Sequence, residues 1–200
     1  MASAIDFYFD FTSPYGYLAA ERIDALAAKY DREVNWRAIL LGFIFKQTGQ
    51  VPPMQVPLKG EYVVHDMARS ARYFDVPMNF PSDFPKMTIA AARGFYWLQD
   101  QNKAQAKNFA LHIYRAYFVD NRDIGNAEVV CDIAQEAGVD RALFATSVQS
   151  DAAKERFKSE SDQAIGRKVF GSPYFIVDDE PFWGVDRMTQ LERWLKTGGF

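Results

Sequence analysis

Ile5-Asp6-Phe7-Tyr8-Phe9-Asp10-Phe11-Thr12-Ser13-Pro14-Tyr15-Gly16 begins as a strand and ends as a helix. Ile5, Phe7, Phe9 and Phe11 alternate with Asp6, Tyr8 and Asp10, the period of a strand built from aromatic and branched side chains. Thr12 and Ser13 then offer hydroxyls for an N-cap, and Pro14 suits the first helical position, where a missing N–H costs nothing. Tyr17, Leu18, Ile23, Leu26, Ala27 and Tyr30 follow at helical spacing and predict one buried stripe. Ser13 therefore stands at a strand-to-helix junction, where unpaired N–H groups favour negative charge. On this stretch alone two readings stand: a serine that only starts the helix, and a hydroxyl presented to a ligand.

Outward from it, Val34, Trp36, Ala38 and Leu40 alternate with Asn35, Arg37 and Ile39 and predict a second strand. Strand, helix and strand within about 40 residues suit parallel pairing through a right-handed crossover. Gly49, Pro52, Pro53 and Pro57 make the segment from Gly42 to Pro57 read as an extended loop. Helical periodicity then runs to about Lys168. It is carried by Ala91, Gly94, Phe95 and Leu98, by Phe109, Ile113, Tyr114, Tyr117 and Phe118, and by Val129, Val130, Ile133 and Ala137, stopped at Gly138. Strand texture returns in Tyr174-Phe175-Ile176-Val177 and Pro181-Phe182-Trp183-Gly184, which flank Asp178-Asp179-Glu180 as an antiparallel hairpin. Met188, Leu191, Trp194 and Leu195 mark a last helix, ended by Gly198-Gly199. The order βαβ, helices, ββα predicts an α/β chain: a thioredoxin-like domain over residues 1–40 and 169–200, split by a large all-helical insertion over 41–168. In such a frame Ser13 occupies the place of the first cysteine of a redox Cys-x-x-Cys pair.

Bulk composition narrows the chemistry. A chain of 200 residues, 48% hydrophobic and 16% aromatic, is globular rather than disordered. A formal charge of -3 gives no general attraction for phosphate backbones, so nucleic acid is not an expected partner. The longest apolar stretch, Ala38 to Phe45, is eight residues, well short of the roughly 20 needed to cross a bilayer. No basic-then-apolar leader is read ahead of the first strand, and a cytoplasmic setting without membrane attachment is expected. Cys131 is the single cysteine, which leaves no Cys-x-x-Cys centre; its neighbours Val129, Val130 and Ile133 assign it to a helix core. His65 and His112 lack the spacing of metal ligands, and no metal site is predicted.

Four motifs in order carry a family resemblance across nearly the whole chain. They are Asp6-Phe7-Tyr8-Phe9-Asp10-Phe11 with Ser13-Pro14-Tyr15; Thr48-Gly49-Gln50-Val51-Pro52-Pro53 with Lys59-Gly60-Glu61-Tyr62; Arg167-Lys168-Val169-Phe170-Gly171-Ser172-Pro173; and Phe182-Trp183-Gly184-Val185-Asp186-Arg187-Met188. In these the chain resembles the 2-hydroxychromene-2-carboxylate isomerases, relatives of kappa-class glutathione transferases with a thioredoxin-like fold. The resemblance implies glutathione as cofactor, an aromatic small molecule as substrate and a homodimer, to which helical faces bearing Phe95, Trp97 and Phe118 are possible contributors. Ser13 would be the catalytic serine, its hydroxyl bonded to the glutathione sulfur. Pro173 would follow a cis peptide whose Ser172 backbone pairs with the cysteinyl portion as an added strand would; read alone, it is a strand-initiating proline. Asp186 and Arg187 would hold the γ-glutamyl end; read alone, Asp186 complements a helix dipole. Gln50, where related chains commonly carry Asn, and Lys59 would line the opposite wall, Lys59 also reading as a solvated charge. Tyr62 has two readings, a residue facing the same pocket and a packed tyrosine, the second being the one favoured from sequence.

Two reactions fit an activated thiolate. It can add to an unsaturated 2-oxo acid and leave again, which isomerises the double bond, or stay as a conjugate, which is transferase chemistry. For the substrate carboxylate, Lys46, Lys59 and Tyr15 are the expected neighbours. A binder of glutathione or peptide without turnover is the reading from another class.

Overall fold

The computed structural model describes residues 3–200. The first strand, β1 (Ile5–Phe9), leads through Ser13 into α1 (Pro14–Ala20), and after a turn α2 (Ile23–Ala28) returns the chain to β2 (Val34–Ala38). The single predicted stripe is thus carried by two helices. They part at Glu21 and Arg22, where Arg22 N–H bonds to Ala19 O, three residues back, instead of continuing the α-ladder. β1 and β2 pair in parallel, with Phe7 opposite Trp36.

Residues 42–57 correct the loop expectation. Leu41–Thr48 forms α3, ended by Gly49 at φ 71, and only the Gly- and Pro-rich remainder is irregular, with one 3-10 turn at Pro53–Gln55. Apart from Gly42, which α3 carries in its first turn, the breakers lie at or beyond position 49, while Leu41, Ile44 and Phe45 keep a helical apolar face. The cap is what sequence reading lacked. Leu40 offers none, and Asp10 Oδ2, from the loop after β1, accepts the Leu41 N–H at 2.6 Å.

The helices that follow are α4 (Lys59–Tyr73), α5 (Ile89–Gln101), α6 (Lys103–Phe118), α7 (Ala127–Glu136), α8 (Arg141–Gln149) and α9 (Asp151–Gly166). Asn102, Asn126, Asp140 and Ser150 cap four of them with their own side chains. β3 (Tyr174–Val177) and β4 (Glu180–Trp183) form the hairpin, its two-residue turn Asp178-Asp179 having φ 52 and 63. Glu180 is therefore in the strand rather than the turn. A 3-10 turn at Val185–Arg187 leads into α10 (Met188–Thr197), so Asp186 lies in this turn and Arg187 is the N-cap of the last helix.

The sheet order is β2-β1-β3-β4, with β3 antiparallel to both neighbours. One face buries Phe7 and Phe9 against Trp36, Phe175 and, from α5, Phe95, whose ring meets Phe9 edge-on at 5.2 Å. That apolar cluster continues through Tyr114 and Phe118 of α6, so the sheet and the long helical segment share one core. Phe95 and Phe118 are fully buried inside it and are not available to a dimer contact; Trp97 packs against it partly covered. A smaller cluster of Tyr8, Ile39, Ile44, Val169 and Tyr174 covers the other face. Cys131 is in the main core, where burial pushes its thiol up. Among the described residues no helix is long and apolar enough to cross a membrane.

Candidate active site

The carboxyl end of β1 and the loop before β3 meet at Ser13 and Ser172. Ser13 is the N-cap of α1: its Oγ accepts the Gly16 N–H at 3.0 Å and donates to Ser172 O at 2.9 Å. The Ser172–Pro173 peptide is cis. Ser172 Oγ in turn accepts the Asp10 N–H at 2.9 Å, and among the described residues the Ser172 N–H has no protein acceptor. Sequence reading placed these residues in one site; it did not foresee that the Ser13 proton is already shared with the Ser172 carbonyl.

Gly16 sits where a second redox cysteine would stand. A Cβ there would meet Ser172 Oγ at 2.8 Å, the Tyr114 hydroxyl at 2.9 Å and Ser13 Cβ at 3.0 Å. No side chain enters that space without displacing the serine pair.

Asp10 stands in the strand alternation and in the first motif, but sequence reasoning gives it no role of its own. Its carboxylate is buried and accepts the Thr12 N–H and hydroxyl, both at 2.6 Å, as well as the Leu41 N–H. Burial pushes its carboxyl above the usual range despite these three bonds. It fastens the start of α3 to the loop that carries Ser13.

From this floor opens a cleft of about 1730 Å³. Ser13, Gln50, Lys59, Ser172, Pro173, Asp186 and Arg187 all line it. Gln50 and Lys59 come from the wall made by α3, the irregular segment and α4; both are exposed. Asp186 and Arg187 form the facing rim and pair with each other at 3.0 Å. Lys46 is exposed on α3 and is not among the lining residues, which removes it from the substrate's expected neighbours. Tyr62 lines the cleft with 59% of its surface exposed, so of its two readings the pocket-facing one holds and the packed one does not. Its helix presents Val63 and Met67 to the interior instead.

Tyr15 bridges floor and wall, its hydroxyl donating to Asp66 Oδ2 at 2.6 Å. Burial, and then the Asp66 carboxylate, push the Tyr15 phenol well up. Burial opposes ionisation of Asp66, but hydrogen bonds from Tyr15 and Arg69 outweigh it and hold the carboxyl below its ordinary value. Trp183 and Phe170, ring centroids 4.9 Å apart, add an aromatic side beside Gly171. A drug-sized ligand commonly occupies roughly 300–1,000 Å³. The cleft is larger, with room for more than one small molecule.

Among the described residues no cluster of three or more His, Cys, Asp and Glu side chains is arranged to hold a metal. The floor presents an oriented hydroxyl, a free backbone N–H and an accepting carbonyl, all side by side. That set can pair with an extended peptide and hydrogen-bond an anion at its centre.

Comparison with known proteins agrees with this architecture. The family model of the DSBA-like thioredoxin domain matches residues 4–196. A curated 2-hydroxychromene-2-carboxylate isomerase of Pseudomonas putida is 33% identical over 190 residues, spanning 94% of this chain and 92% of the relative. Glutathione S-transferase kappa 1 of Rattus norvegicus is 24% identical, over 96% of this chain and 92% of its own. A solved structure of 2-hydroxychromene-2-carboxylate isomerase superposes with a TM-score of 0.86 at 31% identity, covering 96% of this chain and 94% of that one.

Proposed function

We propose, from the premise that this chain belongs to the DSBA-like thioredoxin family and within it to the 2-hydroxychromene-2-carboxylate isomerases, that it is a glutathione-dependent cis–trans isomerase. Its substrate class is 2-hydroxychromene-2-carboxylate or a similar unsaturated aromatic 2-oxo acid. The observation that carries the reading is the serine pair: Ser13, in the place of a redox cysteine, joined to Ser172 beside a cis-proline. A hydroxyl there cannot form a mixed disulfide, so it leaves a visiting sulfur free to react and depart.

The residues present fit glutathione. The unpaired Ser172 N–H and its carbonyl offer the two backbone bonds that an extended cysteinyl unit needs. Asp186 and Arg187 offer one acid and one base for an amino-acid terminus. Bound glutathione would supply a sulfur nucleophile that adds reversibly to a conjugated double bond, lets the resulting single bond rotate, and is released unconsumed. Ser13 holds the proton that steadies an anion at this spot: turning about Cα–Cβ re-aims Oγ–H from Ser172 O into the cleft. Lys59, exposed on the wall made by α3, the irregular segment and α4, is the cation for a substrate carboxylate. Tyr15, held by Asp66, keeps its phenol neutral beside the same space.

A second reading, transfer of glutathione to an electrophile, is favoured by the kinship to kappa-class transferases. One assay separates them. Spectroscopic conversion of the chromene carboxylate with glutathione far below substrate, and no loss of thiol, is the isomerase outcome; loss of one thiol per turnover is the transferase outcome. Ser13→Ala should lower kcat/KM about 10²- to 10³-fold, as removal of one anion-stabilising donor does elsewhere. Undiminished turnover after exhaustive removal of glutathione would overturn the proposal.

A further inference from the structure

Among the described residues, the cations lining the cleft are Arg22, Lys29, Lys59, Arg69, Lys86 and Arg187. Four have carboxylates: Lys29 has Glu192 at 3.4 Å, Arg69 has Asp66, Lys86 has Asp83 and Asp123, and Arg187 has Asp186. Lys59 is exposed to water and needs none. Arg22 is different. It is half-buried at the turn between α1 and α2, and its one hydrogen-bond acceptor is the weak thioether of Met188, 3.8 Å from Nη1. Its guanidinium lies over the Phe74 ring, 3.9 Å from the centroid. Stacking fixes the plane of the fork and leaves its edge donors for a planar acceptor. Burial lowers its pKa from the ordinary value, the mark of a cation short of counter-charge. Glu192 acts on it only from a distance, being itself engaged by Lys29 and the Tyr30 hydroxyl, both at 3.4 Å.

We propose that Arg22, backed by Phe74, is a carboxylate-binding subsite of the same cleft, set beyond the end of α1 that lies away from Ser13. The seven residues of α1, about 10 Å of helical rise, and the turn that follows separate it from Ser13. That distance suits the terminus of a ligand whose reactive atom lies at Ser13. Met188, which Arg22 touches, directly follows Asp186 and Arg187. Two ligands bring the required group: the γ-glutamyl α-carboxylate of glutathione, in which case the subsite rests on the function proposed above, and the carboxylate of the aromatic 2-oxo acid. Either would form a two-pronged, charge-assisted pair.

Calorimetric titration of the wild type, Arg22→Met and Arg22→Lys with glutathione, and separately with phenylpyruvate, tests this. Met keeps an apolar stem against Phe74 and removes the charge; melting temperatures check that each variant folds. Loss of the pair should weaken one of the two ligands about 10- to 100-fold in Arg22→Met. Arg22→Lys should fall in between, and it carries the test alone should the Met variant not fold. A glutathione analogue with 4-aminobutyrate replacing the γ-glutamyl residue lacks that α-carboxylate. If glutathione is the ligand, wild type and variants should bind the analogue equally weakly. A selective loss of phenylpyruvate, with no glutathione binding by the wild type, would keep the subsite and reject the thiol cofactor. Equal affinities of wild type and variants for both ligands, or a wild type that binds neither, overturns the subsite.

Discussion

At Gly16, Ser13 and Asp10, a few tenths of an ångström decide the chemistry. Gly16 costs helix propensity, about 1 kcal/mol relative to alanine. A Cβ there would sit 2.8 Å from Ser172 Oγ and 2.9 Å from the Tyr114 hydroxyl, and overpacking of that kind costs about 1–3 kcal/mol. Gly16→Ala should therefore be destabilising by roughly 1 kcal/mol net. Its activity should fall further than its stability, because the displaced atoms are those of the serine pair; denaturant titration beside kcat/KM measures both. Asp10→Asn tests the neighbouring anchor. Asparagine can still accept from Thr12, but its amide then points donors at the Leu41 N–H, and loss of that cap should cost about 1–2 kcal/mol. The pH dependence has a defined sign. Burial raises the folded carboxyl above its ordinary 3.8, so this group contributes fully below that value and loses its contribution as pH rises through the folded pKa. The stability gap between wild type and Asp10→Asn should thus narrow as pH rises from 4.

Asp6, in β1, has the opposite sign. Burial opposes its charge, yet Arg167 and Arg37 outweigh it and hold the carboxyl below 3.8. Its contribution is present above pH 4 and is lost as pH falls through the folded pKa, so Asp6→Asn should flatten the acid limb of an unfolding-versus-pH curve. The β3–β4 turn gives a prediction independent of charge. Asp178 and Asp179 both hold positive φ, a region that side chains resist. Asp178 accepts from Trp194 Nε1 at 3.2 Å and must stay, whereas Asp179→Gly should stabilise by about 0.5–1 kcal/mol, seen as a rise of roughly 1–4 °C in Tm. These elements also mark where the sequence was legible. The Ser13-Pro14 start, the Gly138 stop at φ 83 and the hairpin are set by neighbours in the chain, and local reading found them. α3 escaped because its cap arrives from 31 residues away, and the break at Arg22 because an apolar stripe does not reveal where its backbone turns. Phe95 and Phe118 looked the same as interface residues because a helical apolar face has one pattern whether it meets a partner or its own core. The cleft residues were assembled by motif rather than by spacing; the unpaired state of Arg22 was beyond sequence altogether, since it depends on which carboxylates other elements bring.

The whole molecule has one sulfur nucleophile of its own, and the fold withholds it. Cys131 is 2% exposed, on α7, and is not among the residues lining the cleft; burial also pushes its thiol up, away from the reactive thiolate. The cleft, by contrast, has the Ser13 hydroxyl at its floor, and a side chain at Gly16 would collide with the serine pair. On the proposed function, the reacting sulfur is brought in by a diffusible molecule. A thiol reagent such as 5,5′-dithiobis(2-nitrobenzoate) should find no rapidly reacting group in the native protein and one in denaturant. The protein should fail to reduce insulin disulfides at any concentration, and blocking Cys131 after unfolding and refolding should leave turnover unchanged. Rapid native labelling together with loss of turnover would place the nucleophile within the chain and remove the need for a visiting one.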